Sequence, residues 1–394
     1  MSFAYFAMTS ASAFESFPEF NSLTETEQAA FDEPSSLGPE TLSDYWAYEI
    51  PSEWDRRFFA HNLSFDTSVG SLSGEFFLIR TRGRFAKSIS ESWDARITFF
   101  DERDYETDNR HTILELIHWW PSGFGLSLYG EPSYTKREND LGLAIIHRNE
   151  EKKQESRLFY TATDLVRNGR NNRRDRFEKE PGAIGFVFRR ANEKVFSEVS
   201  VRYEWPTIWV FPDEQYIYDY KKTMVGLKTD REISKSLDVA VDIQFLQKFE
   251  ARSPYQGSSY AVQNSQTDRL LARLQARSPI GSVGLWTAYG FWTNQARSVV
   301  QKDVLPFVEW HIPTSSDSLS WIMGYGLTHH DESGEVNLRP SPASSHDFEQ
   351  RLNTTAKIEF SKEAELRLQL TFDIDRLGSG ETFEGGNGQF RVQF

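Results

Sequence analysis

The stretch that decides the fold is Gln389-Phe390-Arg391-Val392-Gln393-Phe394, in which Phe390, Val392 and Phe394 alternate with polar residues. Successive side chains of a β-strand point to opposite faces, so the stretch predicts a strand with one apolar and one polar face. The sequence ends on the aromatic side chain of Phe394, a type favoured where an apolar medium meets water. These six residues therefore favour a strand that has an apolar environment on one face and water on the other, and that ends near the boundary between them.

A final strand of this kind resembles the C-terminal strand of bacterial outer-membrane β-barrels, at the level of the superfamily. The resemblance implies an all-β, transmembrane, antiparallel barrel whose terminal signature is Phe390, Val392 and Phe394. It implies a Gram-negative outer-membrane location, with membrane lipid and lipopolysaccharide around the wall. It also implies that the barrel-assembly machinery engages the C-terminal strand.

Three other stretches alternate as cleanly, at residues 197–205, 237–245 and 366–374. Between such stretches the connectors differ in length. The tight ones lie at 121–123, 278–281, 313–317 and 361–364, and the longer ones at 101–110, 166–181, 250–264 and 328–346. This asymmetry is typical of membrane barrels, which have short periplasmic turns and longer extracellular loops.

The alternation and the connectors together predict eighteen strands, with sixteen as the alternative because the strands before residue 150 alternate poorly. The predicted strands are 57–68, 75–86, 93–100, 111–120, 124–130, 141–148, 155–164, 182–190, 196–209, 215–228, 236–249, 266–277, 282–293, 303–313, 318–329, 348–360, 365–376 and 387–394. One segment, 268–277, has arginines every four residues and fits a helix as well as a strand; its neighbours favour a strand.

The composition separates two kinds of membrane protein. Mean hydropathy is −0.57 and no run approaches the roughly eighteen apolar residues of a spanning helix, so a helical membrane protein is excluded. A barrel stays allowed because half of each strand faces a wet interior.

Aromatic residues make up 14% of the chain, which suits the aromatic belts of a barrel. The tryptophans near predicted strand ends are Trp119, Trp120, Trp205, Trp209, Trp292 and Trp310. A soluble propeller is disfavoured because no repeat of 40 to 50 residues is present.

Three regions are predicted along the chain. Residues 1–13 end on Ala11-Ser12-Ala13 and are interpreted as a signal peptide that lacks its basic beginning. Residues 14–55 hold eleven acidic residues and no Lys or Arg, and are interpreted as an acidic periplasmic segment with a short helix. It is read as a tail, a plug or a docking peptide for a periplasmic partner. Residues 56–394 are predicted to form the barrel.

The polar faces of the predicted strands carry charges of both signs. The candidates for lining the lumen are Glu198, Arg202, Glu204, Asp238, Asp242, Arg269, Arg273, Arg277, Arg351, Lys357, Arg367 and Asp373. A mixed-charge lumen selects among hydrophilic solutes, although facing charges can also pair and brace a closed barrel. Since eighteen strands enclose more space than side chains fill, we expect either water or an inserted segment inside.

The sequence favours no catalytic site, metal site, cofactor or nucleic-acid partner. A hydrolase or metal cluster can be assembled from His329, His330, Asp331 and His346, with Ser333, Ser344 and Ser345 nearby. Because Ser, His and Asp are ordinary loop residues and no nucleophile elbow accompanies them, a plain loop is favoured. We expect an outer-membrane channel that passes a hydrophilic solute or exports a polysaccharide. The alternatives are a non-conducting scaffold whose acidic segment recruits a partner, and then a hydrolase.

Overall fold

The computed structural model describes the greater part of the predicted barrel. The described residues are 62–72, 76–103, 108–130, 141–149, 153–162, 176–177, 182–211, 216–254, 256, 263–294, 297–314, 316, 318–336, 339–340, 344–378 and 382–393. The predicted signal peptide, the acidic segment 14–55 and Phe394 lie outside them. Over the described ranges, no helix has the length and apolar character needed to cross a membrane.

Eighteen strands form the wall in the described residues, numbered here in chain order. They are β1 Leu63–Leu72, β2 Phe76–Ser90, β3 Trp93–Arg103, β4 Asp108–Trp119, β5 Phe124–Gly130, β6 Leu141–Asn149, β7 Gln154–Ala162, β8 Gly182–Asn192, β9 Val195–Phe211, β10 Tyr216–Ser234, β11 Leu237–Pro254, β12 Gln263–Ser278, β13 Gly281–Asn294, β14 Arg297–Ile312, β15 Leu319–Val336, β16 Ser344–Glu359, β17 Ala364–Asp373 and β18 Phe383–Gln393. Two-residue segments, Arg176–Phe177 and Arg339–Pro340, extend the pairing of β9 and β15.

The wall is a closed antiparallel barrel. Each strand pairs with its neighbours in the chain, and β18 pairs with β1, where Arg391 lies opposite Asp66. Closure removes the unpaired strand edges that a membrane would not tolerate. The prediction of eighteen strands is confirmed, and sixteen is wrong.

Two sequence interpretations are corrected by the pairing. The segment 268–277 belongs to β12, which is bonded along its length to β11 and β13, so the helix alternative is wrong. The first strand extends to Leu72 rather than 68, because it stays in register with β2 and β18 to that residue, and the predicted residues 57–61 lie outside the described part of the chain.

The outer and inner faces differ in polarity as a membrane barrel requires. On β9 the outward Val201 and Trp205 are exposed, whereas the inward Glu198 and Arg202 are buried. On β6, by contrast, the outward Ile145 and the inward Gly142, Ala144 and Ile146 are all apolar or small, and the inward charge of Arg148 comes only near the end of the strand. Alternation is therefore weak in the early strands because both of their faces are apolar.

The tryptophans divide between the two faces. Trp120, Trp205 and Trp310 are exposed on the outside, as expected of interface belts. Trp119 and Trp292 are buried on the inside, and their assignment to a belt is wrong. Period-two alternation places each on the inner face, and nearness to a strand end does not change that. The side chain of Trp209 lies outside the described part.

Candidate functional site

The interior of the barrel is filled on one side. Strands β4 to β8 are short and turn apolar side chains inward. These form one buried cluster made of Ile113, Ile117, Trp119, Tyr129, Ala144, Ile146, Phe159 and Val187. This sector of the lumen, from β3 to β8, is named the packed sector. The packing shows that side chains can fill part of an eighteen-stranded interior.

A buried ion-pair network crosses the packed sector. Arg96 on β3 donates to both carboxylate oxygens of Glu155 on β7, at 3.1 and 2.8 Å. Four strand spacings amount to roughly 19 Å along the wall, so this contact spans the interior. Glu115 on β4 accepts from Arg157 at 2.6 Å and lies 3.7 Å from Arg96. The network draws the β3 and β7 walls together.

Asp94 anchors the end of the packed sector that lies beside the short turns. Its carboxylate accepts hydrogen bonds from Trp119 Nε1 at 2.8 Å, Arg148 at 3.0 Å and Ser88 at 2.7 Å. The Arg148 guanidinium also lies 4.1 Å from the centre of the Trp119 ring. Asp94 therefore ties β2, β4 and β6 to β3.

The opposite side of the lumen holds an open cavity of about 350 Å³. It lies at the short-turn end and is bounded by inward residues from β11 to β18, together with residues of the adjoining turns. We name it the main cavity. Its charged lining consists of Lys235, Asp238, Arg277, Glu309, Lys357 and Arg367. Its amide side chains are Gln275, Gln369, Asn387 and Gln389. The lining can therefore replace the hydration of a polar solute.

Three cations of the main cavity, Arg277, Lys357 and Arg367, are paired with carboxylates on their own or nearby strands. Arg277 donates to Asp230 on β10 at 2.6 Å and lies 3.9 Å from Asp238. Lys357 and Arg367 lie directly opposite each other on β16 and β17. Like charges in that register repel unless an anion joins them.

Glu365 on β17 is that anion. Its carboxylate lies 3.4 Å from Lys357 Nζ, 2.9 Å from Arg367 Nε and 2.7 Å from Arg391 Nη1. Arg391 in turn faces Asp66 across the closing pair β18–β1, with a shortest charged contact of 3.9 Å. The carboxylate thus couples one wall of the cavity to the strand pair that closes the barrel.

An aromatic patch borders the main cavity. Trp286 on β13 and Phe307 on β14 meet edge to face, with ring centres 5.6 Å apart. The Arg273 guanidinium lies 5.0 Å from the Trp286 ring centre. Both rings belong to a buried inner cluster with Leu271, Ala288 and Leu305. Sugar-like and other partly apolar solutes can pack on such rings while amides bind their hydroxyl groups.

The structure places the twelve candidate residues on the inner face, in several groups. Four of them border the main cavity: Asp238, Arg277, Lys357 and Arg367. The other eight are buried elsewhere on the inner wall: Glu198, Arg202, Glu204, Asp242, Arg269, Arg273, Arg351 and Asp373. Several form cross-strand or same-strand pairs, such as Arg351 with Asp373 at 3.0 Å and Arg202 with Glu204 at 2.8 Å.

The histidine segment is strand rather than loop. β15 runs to Val336 and β16 begins at Ser344, so the predicted loop 328–346 is mostly a β-hairpin extension. His330 points inward and its Nδ1 lies 2.5 Å from Asp303 on β14. His329 points the other way and packs on Phe348, with ring centres 5.0 Å apart. Neighbouring strand residues face opposite sides, which keeps the two histidines apart.

Sequence reasoning missed the charges of the packed sector. Arg84, Arg96, Glu115, Arg157 and Arg189 are as deeply involved in the interior as the candidates. Their strands carry apolar residues on both faces, so alternation did not mark an inner side. The residue types were the available signal, since Arg and Glu inside an apolar strand of a membrane barrel must face inward.

The fold is that of a bacterial outer-membrane β-barrel. An even number of antiparallel strands closes without an edge, exposes large apolar side chains outward and turns charges inward. Only a membrane accepts such an exterior, and closed barrels of this type reside in the outer membrane.

Comparison with known proteins adds likeness of fold alone. No family model and no curated protein matches the chain. The Pseudomonas aeruginosa protein OccK2 (OpdF), solved with glucuronate, is 10% identical with a TM-score of 0.40, covering 84% of this chain and 98% of its own. Acinetobacter baumannii OccAB3 is 8% identical with a TM-score of 0.39, at 84% and 98% coverage. OmpT, an outer membrane protein of Vibrio cholerae, is 7% identical with a TM-score of 0.35, at 84% and 96% coverage.

Proposed function

We propose that the barrel is a channel that passes a hydrophilic solute or exports a polysaccharide across the outer membrane, and that it is not an enzyme. The observation that carries the proposal is the main cavity, which is polar, opens among the inner side chains of β11 to β18 and lies beside the short turns. The packed sector confines the candidate path to this side of the lumen.

The lining of the main cavity sets the expected selectivity. Four cationic side chains, Lys235, Arg277, Lys357 and Arg367, stand against Asp238 and Glu309. Asp230 pairs with Arg277, and Glu365 pairs with Lys357 and Arg367, so the lining has mixed charge rather than an excess of one sign. A wall of mixed charge selects among hydrophilic solutes. The aromatic patch and the amides give the same cavity contacts for sugar-like solutes.

The test is single-channel recording of the refolded barrel in planar bilayers. The full chain is compared with a chain that begins at Arg56. We expect current steps from the second form, and from the first unless residues 14–55 close the path. Silence from both would refute the channel.

A matched pair of variants tests whether the main cavity lies on the path. Gln369→Trp places a large ring in the cavity and should reduce the unitary current. Leu370→Trp puts the same ring on the neighbouring outward position, which is 44% exposed, and should leave the current unchanged. Equal currents in the two variants would remove the main cavity from the conducting path.

A scaffold is the second proposal, and the packed sector favours it because it closes part of the lumen. The acidic segment 14–55 would then recruit a basic periplasmic partner. Immobilised peptide 14–55 should retain a specific periplasmic protein at low salt, whereas a peptide with its carboxylates changed to amides should not. Capture by both peptides, or by neither, would argue against recruitment by charge.

A hydrolase is the third hypothesis. Its motivation is the Asp303–His330 pair, since a His held by a carboxylate is the arrangement that serves as a base. Esterase and glycosidase assays on a His329, His330 and His346 triple alanine variant decide it. Any activity of the parent that survives in the variant would exclude these histidines.

A further inference from the structure

A row of neutral polar side chains crosses the wall of the main cavity beside the strand pair that closes the barrel. Thr355 on β16 lies directly opposite Gln369 on β17, which lies directly opposite Asn387 on β18. Side chains directly opposite each other on one face of a sheet are about 5 Å apart, so these three are neighbours. Gln389 follows on the same face of β18. All four side chains line the cavity, and we name them the neutral platform.

Two atoms of the neutral platform lack hydrogen-bond partners. Arg391 donates to Gln389 Oε1 and to Glu365, which fixes the orientation of the Gln389 amide. Within the described part of the chain, Gln389 Nε2 has no acceptor and Asn387 Oδ1 has no donor. Both side chains are more than nine-tenths buried, with exposed fractions of 3% and 8%. A buried polar group without a partner is costly, so this wall favours a ligand that supplies both an acceptor and a donor.

Hydroxyl groups supply what the neutral platform lacks. A hydroxyl group can donate to Asn387 Oδ1 and can also accept from Gln389 Nε2. A carboxylate only accepts, and an ammonium group only donates. A neutral ligand also avoids the cost of removing a charge from water. The neutral platform therefore favours an uncharged ligand with several hydroxyl groups.

The charged groups beside the neutral platform already have counter-ions within the wall. Glu365 lies 3.4 Å from Lys357 and 2.9 Å from Arg367. Arg277, on the other side of the cavity, lies 2.6 Å from Asp230. An ionic ligand would compete with these contacts, whereas a neutral ligand leaves them in place.

The aromatic patch supplies an apolar surface in the same cavity. Phe307 and Trp286 both line the cavity. Phe307 lies directly opposite Gly284 on β13, and its ring covers the position that a Cβ of residue 284 would occupy. The ring therefore lies along the wall. A pyranose sugar has a face of C–H groups that packs on aromatic rings, and it carries hydroxyl groups around its edge.

We propose that the main cavity binds neutral sugar units, with their hydroxyl groups on the neutral platform and their C–H faces on the aromatic patch. This inference rests on the proposed function, because it identifies the class of solute that the channel passes. The cavity volume of about 350 Å³ falls within the range of about 300–1,000 Å³ that is usual for small-molecule sites.

The experiment measures maltotriose binding to the full chain by isothermal titration calorimetry, in a detergent without a sugar headgroup. The Gln369→Met/Asn387→Leu variant nearly preserves the volume of two platform side chains and removes their hydrogen-bonding groups. Losing these contacts should weaken maltotriose binding by about tenfold. Gln247→Met makes the same kind of change at an exposed, outward position of β11 and should leave binding unchanged.

Trigalacturonate, a trisaccharide that carries a carboxylate on each ring, tests the preference for neutral sugars. We expect it to bind more weakly than maltotriose. Equal or tighter binding of trigalacturonate would overturn the proposal. Equal maltotriose binding by the parent and the double variant would overturn it too, as would a parent that binds no maltotriose.

Folding of each variant is read from the heat-modifiable gel shift. Asn387→Leu alone is the second variant, and it should weaken maltotriose binding by about threefold. Bilayer current is recorded separately from binding. Current without maltotriose binding would refute the sugar site alone, and maltotriose binding without current would refute the channel alone.

Discussion

Glu365 shows at the scale of a single residue how a charged interior is stabilised. Its side chain is buried, and its two carboxylate oxygens contact the cations of Lys357, Arg367 and Arg391, which lie on three different strands. Lys357 also lies 2.6 Å from Glu359 and Arg391 lies 3.9 Å from Asp66, so Glu365 is the carboxylate that the three cations share and not the sole partner of each. Removing a carboxylate that several clustered cations share is costly.

Glu365→Gln should lower the free energy of unfolding by about 3 kcal/mol, because three clustered cations lose their shared anion. Urea unfolding of the barrel in lipid vesicles measures the effect. Glu363→Gln, an exposed position in the adjoining turn, is the matched control and should change stability little. If the two variants unfold at the same urea concentration, the three-cation contact does not stabilise the wall.

At the scale of elements, strand ends and turns set the register. The turn Trp120–Gly123 joins β4 to β5, and the Gly123 carbonyl accepts from the Arg148 amide of β6 at 2.8 Å. Gly123 has φ of +80°, a region that other residues rarely adopt. A Cβ there would lie 2.8 Å from the Arg148 carbonyl oxygen. Both the backbone and the neighbouring strand therefore require glycine.

Gly123→Ala should destabilise the barrel by about 3 kcal/mol, since left-handed strain and a close contact with backbone add together. Gly378→Ala is the matched control, because Gly378 has φ of +89° but nothing within 4 Å of the added carbon. Strain alone should cost about 1–2 kcal/mol there. Urea midpoints in vesicles compare the two, and an equal loss would mean that Arg148 moves aside.

At the scale of the whole molecule, polarity is reversed relative to a water-soluble protein. Charged side chains such as Arg157 and Arg391 are among the most deeply buried, whereas Ile145 and Leu143 are about half exposed on the outside. The apolar exterior is stable only in a hydrocarbon solvent. Because the barrel is closed, the backbone N–H and C=O groups of its strands are hydrogen-bonded to neighbouring strands and need no water there. The apolar exterior and the closed barrel are thus both consequences of folding in a membrane.

Ile145→Arg should weaken folding into lipid vesicles by about 2–4 kcal/mol, because Ile145 lies at the middle of β6 on the outward face. Glu91→Arg, in the exposed short turn between β2 and β3, serves as the control and should cost well under 1 kcal/mol. Folded fractions are read from the heat-modifiable gel shift across a urea series. An Ile145→Arg barrel as stable as the control would place this face away from lipid.

The sequence by itself determined the fold class and the sidedness of the later strands, and it favoured eighteen strands over sixteen. On β9, β11 and β17 one face is apolar and the other polar. The alternation therefore identifies the inward residues of these strands without knowledge of how the strands pair. The short turns were equally readable from their length. The roles of the candidate residues stay proposals that the experiments above test.

Only the tertiary structure decided what fills the interior. Glu155 lies 59 positions from Arg96 in sequence, and β4, β5 and β6 separate their strands, so no local pattern links them. The same holds for the apolar cluster behind them and for the main cavity on the opposite side of the lumen. Alternation reports which side of a strand faces inward, but what that side meets depends on how the whole sheet curves and closes.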